Sequence, residues 1–149
     1  MIKVTINGAS GKMGTKVSNL IKNDSSLVEC FDDISCSDLV IDFSQPSSTK
    51  TILKKCVAAK KPIIIGTTGF TNDDLNEIRE AANLIPIVLA ANMSRGMIYL
   101  KKSLASFINN NQEKLRCLIE ETHHLEKIDK PSGTAIELKK FIIEHDNNN

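Results

Sequence analysis

The sequence contains no tryptophan and one tyrosine, and aromatic residues fill only 4% of its 149 positions. A surface that stacks bases needs several exposed rings, so a single-strand nucleic-acid binder is disfavoured. There is no excess of charge either: Lys+Arg of 19 against Asp+Glu of 18 leave a formal net charge of +1. A groove that follows a phosphate backbone carries a clear basic bias, and this chain has none. No apolar run approaches the roughly 18 residues of a membrane span. The first residues enter a strand pattern at once, unlike a secretory signal, so a cytoplasmic location and no membrane partner are expected. The four cysteines (Cys30, Cys36, Cys56 and Cys117) form no CxxC pair and none neighbours a histidine. They read as reduced thiols, not as a zinc site or a disulfide framework.

What is present is ordinary for a globular chain, with 41% hydrophobic and 25% charged residues. The length suits one domain, or one domain and part of a second. Strand and helix signals alternate through the first ninety or so residues. Ile2–Ile6 is a β-branched strand pattern, and Thr15–Lys22 carries Val17, Leu20 and Ile21 at helical spacing. Leu27–Phe31, Leu39–Phe43, Pro62–Ile65 and Ile85–Ala90 are further strand patterns. A helix closing at Ala59 and another over Asp73–Asn83 lie between them. Such alternation with short connections predicts right-handed βαβ units and a parallel sheet with helices on both faces, a Rossmann-type α/β domain over residues 1–92.

Between the first strand and the first helix stands Gly8-Ala-Ser-Gly11-Lys-Met-Gly14. Glycines there allow a tight turn, close approach of backbone amides to a pyrophosphate, and tight helix–strand packing. An acidic residue about 20 positions on is needed for the adenosine ribose hydroxyls, and Asp32 fits. Asp33 follows it, and two carboxylates would repel a 2′-phosphate. NADH is therefore expected in preference to NADPH, with Lys12 partly offsetting the repulsion.

Past the joint Asn92-Met-Ser-Arg-Gly96 the character changes to a second, partial domain over 93–149. Ile98–Ile108 reads as an amphipathic helix and Leu115–Glu121 as a strand. From Ser132 onward Ala135, Leu138, Phe141 and Ile142 mark another helix, with Thr134 and Glu137 as a candidate capping box. Between that strand and that helix lies the stretch that carries chemistry, with His123, His124, Lys127 and Lys130 ahead of Ser132-Gly-Thr134. Histidine gives and takes protons near neutrality, lysine adds a compact cation, and a helix N-terminus presents free amides. Together they suit an anionic small molecule that is to be protonated. A metal held by Glu121, His123, His124 and Asp129 is not expected, because adjacent positions ligate awkwardly. Lys130, Lys139 and Lys140 read as solvated surface, and Asp42 and Ser44 as turn-shaping residues.

Five motifs in this order carry a family resemblance: Gly-Ala-Ser-Gly-Lys-Met-Gly, Ile-Asp-Phe-Ser-x-Pro, Gly-Thr-Thr-Gly, Ala-Asn-x-Ser-x-Gly, and Glu-x-His-His-x-x-Lys-x-Asp-x-Pro-Ser-Gly-Thr-Ala. The chain resembles dihydrodipicolinate reductase (4-hydroxy-tetrahydrodipicolinate reductase), of the diaminopimelate route to lysine. The resemblance implies hydride transfer from NADH or NADPH to a cyclic dicarboxylate with loss of water. It makes His123 the acid–base residue and Lys127 the proton donor. His124, Ser132, Gly133 and Thr134 become substrate-binding positions. Gly8, Ala9, Ser10, Gly11, Lys12 and Met13 would hold the pyrophosphate, and Asp32 the ribose. Gly66, Thr67 and Thr68, with Ala90, Ala91, Asn92 and Met93, would lie along the nicotinamide half. Met93, Arg95, Ile98 and Lys130 depart from the family pattern. Family members also continue with strands that complete the substrate domain and form an oligomer. The chain is thus expected to be C-terminally short, with an incomplete α+β second domain, and to need a homo-oligomer or a completing segment. A remnant that only binds NAD(H) is the alternative.

Overall fold

The computed structural model describes residues 1–31, 33–111, 116–123, 125 and 130–146. Its elements are β1 (Ile2–Asn7), α1 (Lys12–Lys22), β2 (Leu27–Glu29), β3 (Leu39–Asp42), α2 (Pro46–Ala59), β4 (Ile63–Ile65), α3 (Asn72–Ala81), β5 (Ile87–Leu89), α4 (Arg95–Asn110) and α5 (Gly133–His145), with a short 3-10 turn at Ile34–Cys36. The chain divides into two compact units, Met1–Ala91 and Asn92–Asn149.

In the first unit five strands form one parallel sheet in the order β2-β1-β3-β4-β5. Its covering follows from the two-residue period of a strand. In β3, Val40 packs with Leu53 and Cys56 of α2 and Ile78 and Ala81 of α3. The next residue, Ile41, packs instead with Val4, Ile6 and Ile21, the last of these on α1. Helices therefore cover both faces, as alternation in the sequence predicts for a parallel sheet. Register agrees, because Val40 lies beside Ile63, and Ile41 beside Ile6 and Ile64.

Helix ends are set locally. Pro46 occupies the first turn of α2, where its missing N–H costs nothing. Thr71 and Asp74 form a reciprocal capping box at the start of α3. The same Asp74 carboxylate takes Lys50 Nζ at 2.5 Å, joining α3 to α2. That ammonium and the amide of Thr71 hold the Asp74 carboxyl below its usual range, and Asp74 in turn raises Lys50.

The helix α1 begins at Lys12, three residues before the apolar spacing announces it, since Gly11 already serves as its N-cap. Val17 and Ile21 face the sheet, whereas Leu20 is 70% exposed.

In the second unit α4 and α5 pack together through Lys101, which pairs with Glu137 and stands 5.6 Å from the Phe141 ring centre. Phe141 stacks on His145 at 4.1 Å. Neither helix has a fully buried residue. The strand expected over Leu115–Glu121 is not found: among the described residues, 116–123 join no ladder. A strand exists through its paired backbone groups, and pattern alone cannot supply a neighbour. The cap of α5 is also corrected. Ser132 is the N-cap and accepts from the Ala135 amide, Thr134 lies inside the first turn, and Glu137 is turned to Lys101.

Candidate active site

The strand order reverses between β1 and β3, so the loops leaving them open a crevice at the carboxyl edge of the sheet, where ligands of open α/β sheets bind. Gly8 leaves β1 with φ +85°, a conformation that favours glycine. A Cβ on Gly8 would stand 2.6 Å from the Phe43 carbonyl oxygen, and one on Gly14 would stand 2.1 Å from the Gly8 carbonyl oxygen. The loop therefore packs backbone on backbone. Gly11, the N-cap of α1, has no side chain to offer the first-turn amides. Ser10, Gly11, Lys12 and Met13 are exposed along this rim and Ala9 is half-buried. A pyrophosphate fits such a rim: an exposed backbone loop that leads into the positive end of a helix.

Beneath the rim lies the Asp42 carboxylate, fully buried at the end of β3. Its Oδ1 accepts from Asn7 Nδ2 at 2.7 Å and Ser44 Oγ at 2.5 Å. Its Oδ2 accepts from Thr49 Oγ1 at 2.5 Å and Thr67 Oγ1 at 2.9 Å. Thr67 Oγ1 also accepts from the Ser44 amide at 3.0 Å, while the Gly66 amide donates to the Asp42 carbonyl oxygen at 2.8 Å. Four donors from β1, the β3–α2 turn, α2 and the loop after β4 thus meet on one buried charge, as such a charge requires. Asp42 and Ser44 therefore do more than shape one turn: they join three loops of the crevice. A Cβ on Gly66 would meet the Phe43 ring at 2.1 Å, which keeps that loop close. Thr67 points its hydroxyl inward and is buried, while Thr68 is exposed. Ala90 donates its amide to the Ile65 carbonyl oxygen at 3.0 Å, and Ala91 is exposed. Cys56, also packed here, has its thiol pushed up to about 11 by burial first and then by the Asp42 charge.

The second unit brings other candidates together. Asn92 Nδ2 donates to Thr134 Oγ1 at 3.1 Å, and Asn92 Oδ1 accepts from the Ser94 amide at 2.8 Å. Met93 is exposed. Glu121 Oε1 accepts from the Ser132 amide at 2.8 Å. Its Oε2 accepts from Ser132 Oγ at 2.5 Å and pairs with His123 Nε2 at 2.9 Å. The Ser132 bonds, followed by His123, hold the Glu121 carboxyl down at about 2. Ser132 is buried and caps α5, and nothing lies within 4 Å of the place a Cβ on Gly133 would take. Asp32, His124 and Lys127 lie outside the described residues. Among the described residues no three His, Cys, Asp or Glu side chains are grouped to hold a metal, and no helix is long and apolar enough to cross a membrane.

Sequence reasoning missed Asn7 and Thr49 as partners of Asp42, and Glu121 as the link between His123 and Ser132. A hint was available for the last: Glu121 and His123 are two apart, so an extended chain puts them on one side.

Two family models match. The one described as dihydrodipicolinate reductase, N-terminus, covers residues 24–93, and the one described as its C-terminus covers 96–149. The 4-hydroxy-tetrahydrodipicolinate reductase of Clostridium tetani is 34% identical over 95% of this chain and 63% of its own length. That of Campylobacter jejuni is 36% identical over 95% and 62%, and that of Akkermansia muciniphila 36% over 95% and 61%. The chain thus spans less than two thirds of the length of these relatives. A dipicolinate-bound dihydrodipicolinate reductase from Paenisporosarcina sp. TG-14 superposes with a TM-score of 0.74 over 100% of this chain and 68% of that one, at 22% identity, which speaks to the fold. With both halves of one family matched in order along the sequence, and relatives above 30% identity over nearly all of it, this chain belongs to the dihydrodipicolinate reductase family.

Proposed function

We propose that this chain performs the NAD(P)H-dependent reduction of 4-hydroxy-tetrahydrodipicolinate to tetrahydrodipicolinate, a step of lysine and diaminopimelate biosynthesis. The observation that carries the reading is the Glu121-anchored His123 beside Ser132 at the N-terminus of α5. It puts a proton carrier next to the first turn of α5, whose positive end suits a substrate with two carboxylates and a need for a proton.

The roles divide as follows. The Gly8–Met13 loop binds the pyrophosphate through amides of the first turn of α1, and Asp32 binds the ribose. Gly66, Thr67, Thr68 and Ala90–Met93 line the nicotinamide half. The bound cofactor supplies a hydride. Each turnover also takes up one proton and releases one water from the 4-hydroxy compound. His123 serves as the acid–base group and Lys127 as proton donor. His124, Gly133 and Thr134 hold the carboxylates, and Ser132, placed with them by the resemblance, gives its amide and hydroxyl to Glu121 and sets the end of α5 beside them. Thr134 is steadied by Asn92, whose amide nitrogen donates to its hydroxyl.

NADH is preferred over NADPH in this proposal, because Asp33 follows Asp32 and both would repel a 2′-phosphate. A ratio of catalytic efficiencies in favour of NADPH would overturn that part. A homo-oligomer in solution is also part of the proposal, and sedimentation equilibrium tests it.

The main test is NADH oxidation by the purified chain with substrate generated in place by the preceding synthase. Turnover that drops by about 10²- to 10⁴-fold in His123→Ala and Lys127→Ala, with NADH binding retained, is the expected result. NADH binding without turnover in the native chain would favour a module that only holds the cofactor.

A further inference from the structure

We propose that Glu121 is a positioning residue for proton transfer: it accepts the His123 Nε2–H, so that Nδ1 is the nitrogen that exchanges a proton with the bound dicarboxylate. The inference rests on the assignment of His123 as the acid–base group, and it names the working atom and what orients it.

An ionised carboxylate only accepts. The nitrogen facing Glu121 Oε2 at 2.9 Å therefore carries a hydrogen, whether the ring is neutral or protonated. In the neutral ring the free lone pair is then on Nδ1, and in the charged ring the proton available for transfer is on Nδ1. Glu121 is itself fixed. Its Oε1 is held by the Ser132 amide and its Oε2 by the Ser132 hydroxyl, at 2.8 and 2.5 Å. That hydroxyl in turn accepts from the Ala135 amide at 3.1 Å. A continuous chain of hydrogen bonds thus runs from the imidazole to the first turn of α5, and the ring takes its orientation from a helix end. Glu121 stays an acceptor throughout the neutral range, since its carboxyl is held at about 2. A direct role on substrate does not suit it, because its charge would repel a dicarboxylate. Orientation of a proton carrier by a buried or anchored carboxylate is a recurrent device in general acid–base sites.

The test is long-range proton–nitrogen NMR on the full chain labelled with ¹⁵N-histidine, the three histidines being assigned with single His→Ala variants. The probe is pyridine-2,6-dicarboxylate. The expected spectrum shows a slowly exchanging Nε2–H on His123, and the probe moves the Nδ1 shift. Glu121→Ala is expected to lose that Nε2–H signal and the Nδ1 response, and to lower kcat by about 10²-fold with NADH binding unchanged. A hydrogen on Nδ1 in the native chain, a probe response at Nε2 or none at all, or a signal that survives Glu121→Ala overturns the assignment. If Glu121→Ala does not fold, the native spectrum and its response to the probe decide alone. Absence of turnover with the expected spectrum overturns the reductase reading and leaves the Glu121 assignment standing. Normal turnover with a response at Nε2 does the reverse.

Discussion

Three residues show how little space or charge decides the behaviour of this chain. Gly14 has none to spare: an added Cβ would sit 2.1 Å from the Gly8 carbonyl oxygen. Gly14→Ala must displace the loop backbone, so loss of NADH binding by at least 10-fold is expected in a titration, about 1.4 kcal/mol or more. Gly133 is the opposite case, at the start of α5 with open space around its Cβ position. Gly133→Ala should raise stability by about 0.5 to 1 kcal/mol in urea unfolding, through the unfolded chain's lost freedom. Glu121 supplies a pH prediction. Its carboxyl is depressed from 4.5 to about 2, so its favourable bonds to Ser132 and His123 act fully above pH 4.5 and fade as pH falls towards 2. Carboxyl NMR should follow that titration, and Ser132→Ala should move the midpoint back up, since Ser132 is the largest cause. A native midpoint near 4.5 would contradict the arrangement.

At the scale of elements, the sheet is held at its carboxyl edge by one buried charge. Asp42→Ala would leave Asn7, Ser44, Thr49 and Thr67 without their common acceptor. A loss of about 3 kcal/mol is expected in urea unfolding, since each stranded donor costs about 1 to 3 kcal/mol and part is recovered by rearrangement. A loss below 1 kcal/mol would mean that these donors find water instead. The strands and helices themselves were largely legible. Val40 and Ile41 alternate between the two faces because a strand has period two, and Pro46, Thr71 and Ser132 start helices for reasons local to each. Three features were not legible. The start of α1 at Lys12 precedes any apolar signal, the segment 116–121 looks like a strand but has no partner in the described residues, and Glu137 turns from a cap to Lys101. Each depends on a neighbour far away in sequence or on a glycine cap with no side chain to reveal it.

For the molecule as a whole, the cysteines report on folding. Cys36 and Cys117 are exposed, whereas Cys56 is fully buried and its thiol is pushed up to about 11. Alkylation by iodoacetamide at pH 8 should modify Cys36 and Cys117 in the folded chain and reach Cys56 only on unfolding. Early modification of Cys56 would show the α2–sheet packing to be looser than described. By itself the sequence determined the parallel α/β unit, the glycine loop at its crevice, and the histidine stretch ahead of a capped helix. Those depend on periodicity, on residues that only certain turns accept, and on side-chain chemistry read at short range. Tertiary structure alone decided which groups share a hydrogen bond. Asp42 gathers donors from residues 7, 44, 49 and 67, and Glu121 reaches eleven positions along the chain to Ser132 while holding His123 two positions away. Such pairings depend on where the folded backbone brings a carboxylate, and a linear pattern of residue types does not encode that distance.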